Sequence, residues 1–507
     1  MEEALHQILQ YIMAAWQTLC NHSSLFAYNA HEPMMFTTGL FVMLFAVFYA
    51  IYGCLSRATT LRLLFVVCFS YYFYYKSSGC YFLLLALVTV SDFLIARRMA
   101  DADEQSTRRW LVALSATINL GLLAFFKYTN FFGQLIADMR GLHFEAFDIF
   151  LPVGISFFTF QSMSYTIDVY RRRIEPLDNM LDYAFYVSFF PQLVAGPIVR
   201  ARDFIPQIRK PLCVTRTMLG TGILYIAGGV VKKIVISDYI SVNFVERIFD
   251  NPSLYTGFEN LMGIYGYALQ IYCDFSGYSD MAIGLALLLG FRFNINFDSP
   301  YKSASITEFW RRWHISLSSW LKDYLYISLG GNRRGKVRQY INLIITMLLG
   351  GLWHGASLNF VLWGLLHGIA LSVHKLWMGI TGIKADVRHS SRLLRAICIL
   401  VTFHFVCLCW IFFRNTDFAN SMAMMQQIAT NFHADVAWQW MCGYWQVLVL
   451  MAVGYALHFV PASTKTAVRR SAARMPLWAY VLVLVLAAFV VVQFKSADIQ
   501  PFIYFQF

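Results

Sequence analysis

The stretch EFWRRWHISLSSWLKDYLYISLGGNRRGKVRQYINLIITMLLGGLWHGASLNFVLWGLLHG, residues 308–368, decides how the rest of the chain is read. It places two histidines, His314 and His354, 40 positions apart. An apolar segment at about 339–353 lies between them. An imidazole in hydrocarbon is costly unless it has a partner or a task. The first question is therefore whether lipid or water surrounds this block.

Composition answers it. Of 507 residues, 58% are hydrophobic and only 13% are charged, and mean hydropathy is +0.54. Soluble domains carry roughly 25% charged residues, and no soluble core could hide this much apolar surface. The 17% aromatic share suits interfacial belts and a ring-lined interior. The net charge of +12 does not indicate nucleic acid, because the basic residues sit in short loops between apolar runs. Ten cysteines include no CxxC pair or zinc spacing, and Cys54, Cys68, Cys398, Cys407 and Cys409 lie in apolar runs, where a thiol acts as a small hydrophobe. Neither a disulfide framework nor a metal site is expected. Glu2 and Glu3 stand where a signal peptide would carry basic residues.

Residues 1–32 read as an interfacial helix and polar loop, and 33–507 as one all-α membrane domain. Apolar runs able to cross a bilayer core of about 30 Å recur at about 35–55, 63–75, 80–96, 110–128, 149–170, 217–236, 255–273, 339–353, 358–375, 395–413, 444–461 and 477–494. The expectation is about 11–12 transmembrane helices plus re-entrant or interfacial pieces around a central funnel or tunnel. The segment 181–200, broken by Pro191, Gly196 and Pro197, reads as a re-entrant or interfacial piece on the side of Arg171, tolerable only where protein covers its open backbone groups. Residues 274–290 read as a short glycine-broken piece. With the N-terminus outside, 32 of the 40 Lys and Arg fall on the inner side. This orients the chain with both termini extracytoplasmic.

The glycines around His354, in GGLWHGAS, permit close backbone approach and a helix break, with Trp353 as a wall. A neutral imidazole there is suited to take a proton from an attacking hydroxyl. His314 follows Arg311 and Arg312. A solvated amphipathic helix and an active-site position serve that sequence equally. In CDFSGYSD, Asp274 and Asp280 are either substrate-binding acids or caps and ion-pair partners of Arg311 or Arg312. The turn LGGNRRGKVR, with Asn332 and Arg333, fits donor phosphates, an acidic carrier protein, or simply a positive-inside loop. His367 reads as a packing or hydrogen-bonding histidine. The aromatic tail at 498–507 either anchors at the interface through Phe502, Phe505 and Phe507 or folds back so that Tyr504 serves as an acyl relay near His354. GxSxG, Walker A, HExxH and GxGxxG signatures are all missing from the sequence.

These motifs carry a resemblance. FWRRWHISLSSWLKDYLYISLGGNR and LLGGLWHGASLNFVLWGLLHG, with DFSGYSDMAIG, PQLVAGPIVR and FIYFQF, resemble the membrane-bound O-acyltransferase (MBOAT) family over about 36–507. Within it they are similar to the bacterial branch containing the alginate O-acetyltransferase membrane subunit. The resemblance implies a helical funnel through the bilayer, with His354 at the catalytic position and His314 at a second active-site position. It implies an acyl group, acetyl foremost, taken from a cytoplasmic thioester such as acetyl-CoA or an acyl-carrier thioester, with no bound cofactor. Its acceptors are extracytoplasmic polysaccharides or cell-wall polymers, often reached through an esterase-like extracytoplasmic partner. The alternatives are a transporter for a lipid-linked glycan, or a scaffold for a partner acyltransferase. Inverted repeats would mark the transporter, and the sequence shows none.

Overall fold

The computed structural model describes residues 25–30, 32–382, 391–415, 417–494 and 502. Among them every regular element is helical. The expected N-terminal helix falls almost wholly on 1–24, outside the described residues. The chain divides into two compact units. One comprises the described residues of 1–228, 278–294 and 469–493, and the other those of 229–277, 295–468 and 494–507.

Among the described residues, six helical runs are long and apolar enough to span a membrane: Thr59–Asp101, Gln105–Arg140, Arg216–Asp250, Leu358–Thr381, Arg392–Arg414 and Leu477–Phe494. A seventh arises if Ala434–Gly443 and Trp445–Phe459, bent by 95°, form one span. Helix Leu477–Phe494 buries only Tyr480 and leaves Leu477, Trp478, Val481, Leu482, Val485 and Leu486 exposed, a surface only lipid can cover. This is fewer than the 11–12 expected, but the run Thr59–Asp101 holds two helices, matching the runs expected at 63–75 and 80–96, and the shorter apolar helix Gly39–Cys54 matches the one at 35–55. The helices Ile155–Tyr170, Gly257–Leu288 and Lys336–His354 form, but they bury polar residues such as Gln161, Asp168, Gln270, Asp274 and Asn342. Protein covers these polar faces, while Lys336–His354 still exposes Val337, Ile341 and Leu349.

In the first unit, run Thr59–Asp101 is a hairpin. Gly79 reverses the chain at φ +62°, and the Tyr71 hydroxyl lies 3.5 Å from that of Thr89. A straight helix would hold residues 18 apart about 27 Å away. Asp92 ties three helices together, accepting from Ser115 (2.7 Å), Asn119 (2.7 Å) and Ser162 (2.5 Å).

The segment 181–200 is broken as expected, and it is buried. Side chains take over its backbone groups. Phe190 N–H donates to Ser70 Oγ at 3.1 Å. Gln161 and Gln192 each donate to the Tyr186 carbonyl at 2.6 Å. The Tyr186 hydroxyl donates to the Val199 carbonyl at 3.1 Å. An irregular backbone persists in an apolar setting only on those terms.

In the second unit, helices Lys336–His354 and Leu358–Thr381 form a tight hairpin. A Cβ on Gly351 would lie 2.2 Å from the Phe360 carbonyl oxygen, and one on Gly364 would lie 2.3 Å from that of Met347. Only glycine permits this approach.

The acid-rich run after residue 272 differs from expectation. Gly277 does not open a new helix but lies inside one continuous helix, Gly257–Leu288. Its missing side chain admits the Gly229 carbonyl, which would stand 2.7 Å from a Cβ. Asp274 therefore caps nothing, and its cation is neither Arg311 nor Arg312. It is 2.5 Å from Lys233 Nζ, which is also 2.8 Å from Asp238. Lys233 rides a π-helical segment, Val231–Asp238. Arg312 instead pairs with Glu308 at 3.0 Å and Asp298 at 3.1 Å.

Candidate active site

His354 is the last residue of helix Lys336–His354, and Gly355 continues in an extended conformation. The break expected from the glycines is therefore at the histidine itself. The side chain is buried among three aromatic rings. Trp353, Trp363 and Phe413 have centroids 5.0, 5.1 and 5.2 Å from the imidazole, all at steep interplanar angles. Trp363 comes from the partner helix of the hairpin and Phe413 from helix Arg392–Arg414.

His314 belongs to the same unit and is also fully buried, which excludes the solvated amphipathic helix. It occupies the left-handed region at φ +42°, ψ +57°, immediately before the short helix Ile315–Trp320. For a non-glycine residue that conformation costs about 1–2 kcal/mol, and histidine is among the types that adopt it. The Trp353 ring packs near both imidazoles, 6.1 Å from His314 and 5.0 Å from His354. Phe275 packs edge-on against His314 at 4.6 Å.

Asn296 holds the strained turn. Its carbonyl accepts from Ile315 N–H at 2.9 Å. Its side-chain oxygen accepts from Ser316 N–H at 3.1 Å and Ser316 Oγ at 2.9 Å. The same oxygen lies 3.2 Å from His314 Nδ1. A backbone N–H only donates, so the Asn296 atom facing Ser316 is the oxygen and not the amide nitrogen. Ser316 Oγ is also 3.4 Å from Nδ1. Two acceptors cannot share a hydrogen bond, so the contact with Asn296 is a hydrogen bond when Nδ1 of a neutral His314 carries the proton and Nε2 the lone pair. In that tautomer the lone pair of a neutral His314 sits on Nε2, in an aromatic enclosure.

The remaining sequence-derived candidates fall elsewhere. Arg311 is exposed and Arg312 half-buried. Asn332 and Arg333 are exposed in a loop shaped by Gly330, Gly331 and Gly335, all at positive φ. Asp274 is engaged with Lys233, and half-buried Asp280 belongs to the first unit. His367 is the hydrogen-bonding histidine expected, accepting from Trp310 Nε1 at 3.3 Å. Tyr504, Phe505 and Phe507 lie outside the described residues. Phe502 is fully buried against Phe275 at 5.5 Å, so interfacial anchoring does not describe it. Sequence reading missed Asn296, Phe275, Trp363 and Phe413. Only Trp363, on the glycine-marked hairpin, had a local signal.

Comparison with known proteins identifies the family. Residues 177–413, which include both histidines, match MBOAT, the membrane-bound O-acyltransferase family. The chain is 42% identical over 390 residues to the probable alginate O-acetylase AlgI of Pseudomonas aeruginosa, covering 75% of this chain and 72% of that protein. It is 36% identical over 423 residues to the peptidoglycan O-acetyltransferase of Helicobacter pylori, covering 78% and 79%. It is 29% identical over 281 residues to the teichoic acid D-alanyltransferase of Bacillus subtilis, covering 52% and 69%.

Proposed function

The chain belongs to the membrane-bound O-acyltransferase family and is an O-acyltransferase, and from that premise we propose that it moves acetyl from a cytoplasmic thioester toward hydroxyl groups of an extracytoplasmic polysaccharide or cell-wall polymer. The observation that carries the site assignment is the pair of buried histidines that both pack near Trp353. Relatives named for alginate, peptidoglycan and teichoic acid support a polymer acceptor.

In this reading His354 is the general base. It takes the proton of the acceptor hydroxyl as that oxygen bonds to the thioester carbonyl carbon. The carbon–sulfur bond then breaks and the proton passes to the leaving thiolate, so nothing is oxidised and no further reactant is needed. His314, with its lone pair on Nε2, orients the donor or shares the proton. The aromatic walls keep water from hydrolysing the thioester. The donor is acetyl-CoA or a carrier-protein thioester, entering past Arg311 and the Asn332–Arg333 loop from the cytoplasmic side of a bacterial inner membrane. Both termini lie outside, where an esterase-like partner completes delivery to the polymer. In the relay form of the proposal the first acceptor hydroxyl is the Tyr504 phenol, which is acetylated as the thiol leaves. A polymer hydroxyl then attacks that phenyl ester, the phenyl ester C–O bond breaks, and the phenol takes back the proton.

The His354→Ala variant tests the core of the proposal. It should insert at wild-type levels and abolish acetylation of the surface polymer. Normal acetylation would overturn the assignment. For the relay, Tyr504→Phe should lose transfer to the polymer, and unimpaired transfer would remove the phenol from the mechanism.

A further inference from the structure

The first unit contains a cavity of about 370 Å³ that the acyl-transfer chemistry does not use. Three cations line it: Arg62, Lys210 and Arg292. They come from the start of helix Thr59–Ser78, the loop before Arg216, and the turn after Leu288. None of the three is ion-paired among the described residues, and the lining contains no Asp or Glu.

Arg62 is the most telling of them. It is 1% exposed. It donates to two backbone carbonyls, Ser56 at 2.9 Å and Lys210 at 3.3 Å, and its Nε has no acceptor among the described residues. Carbonyl dipoles orient a guanidinium but do not neutralise it, and a buried unpaired charge is expensive.

The cavity is preformed. Gln207 clamps Arg292 twice, its side-chain oxygen accepting from the backbone N–H at 2.9 Å and its amide donating to the carbonyl at 3.2 Å. The Tyr52 hydroxyl donates to the Leu289 carbonyl at 2.7 Å. Gly290 turns the chain at φ +86°. These bonds fix the rim while leaving the cationic ends of Lys210 and Arg292 exposed. Apolar groups such as Leu212 and Met218 share the wall with the cations.

We propose that this cavity binds the phosphate of a phosphate ester, with Arg62 at its floor and Lys210 and Arg292 at its mouth. A guanidinium fork matches phosphate oxygens, and basic pockets at helix ends recognise anionic head groups. The same chemistry is offered by a phospholipid head group and by a soluble phosphate ester.

The test uses the full chain in phosphatidylcholine nanodiscs, titrated in one arm with short-chain phosphatidylglycerol and in the other with adenosine 3′,5′-bisphosphate. Binding is read by native mass spectrometry. Because Arg62 is buried, its replacement risks the fold. The primary variant is therefore Lys210→Gln/Arg292→Gln, with Arg62→Gln second. One probe should bind the wild type, and the double variant should weaken it about thirtyfold, or about fivefold per cation. Binding in the lipid arm identifies a head group as the source, and binding in the bisphosphate arm identifies a soluble ester. If neither probe binds the wild type, or if the double variant binds as the wild type does, the proposal fails.

Discussion

Gly350 and Gly351 are adjacent in sequence and nearly identical in local context, yet substitution by alanine should affect them very differently. A Cβ on Gly351 would stand 2.2 Å from the Phe360 carbonyl oxygen and 3.2 Å from Gly364 Cα. Ordinary carbon–oxygen contacts begin at about 3.3 Å, so the two helices must separate by about 1 Å. The obstruction is backbone and cannot rotate away. His354, the proposed general base, lies one turn below on the same helix, and a displacement of that size at such a group costs about 10²-fold in rate. Forcing the hairpin apart also costs about 1–3 kcal/mol of stability. A Cβ on Gly350 meets only Leu321 Cδ1, at 3.1 Å, which a small side-chain adjustment relieves. The assay is the acetyl content of the surface polymer in a null strain complemented with each variant, normalised to inserted protein. Gly351→Ala should fall to about 1% of wild type and Gly350→Ala should stay within about twofold. Equal activity of the two variants would refute the idea that the glycine-lined approach positions the histidine.

Two further outcomes follow from side-chain geometry. Asn296→Leu removes the acceptor shared by Ser316 and His314 and should lower transfer about 10²-fold. Asn296→Asp keeps an acceptor at the same place and should restore most of the rate. The ¹³C shift of the His314 ring should report the Nδ1–H tautomer in the wild type and the Asp variant, and an Nε2–H wild type would negate the tautomer assignment. Lys233→Met leaves Asp238 and Asp274 facing each other in a buried setting and should destabilise the protein by about 3–5 kcal/mol. Asp274→Asn should be much milder. Thermal unfolding in detergent checks the order, and a Met variant as stable as wild type would contradict it.

Hydropathy made the lipid-facing elements legible because lipid imposes a one-dimensional rule. The run read at 477–494 is helix Leu477–Phe494, and the break at the His354 glycines is where the helix ends. Protein-lined elements obey no such rule. Gly277 looked like a helix break and is a notch for the Gly229 carbonyl, because spacing alone does not separate a glycine that bends a helix from one that admits a neighbour. Asp274 and Lys233 sit 41 positions apart, on different helical segments, with nothing local to mark the pairing. Asn296, in the unremarkable run NINFD, acquires its role only when the chain returns to place it beside His314. Phe413 reaches the site from a helix remote in sequence.

The left-handed turn at His314 also bears on how this position drifts over generations. Its backbone filters residues before chemistry does. Glycine, asparagine, aspartate and histidine pass readily, whereas β-branched and bulky types are rejected whatever they might catalyse. A descendant that had abandoned acyl transfer would still sample position 314 from that short alphabet. Persistence of histidine there across relatives therefore measures selection for reactivity only after the backbone's own preference has been subtracted. The helical backbone at His354, which imposes no such filter, offers the cleaner evolutionary record of the reaction.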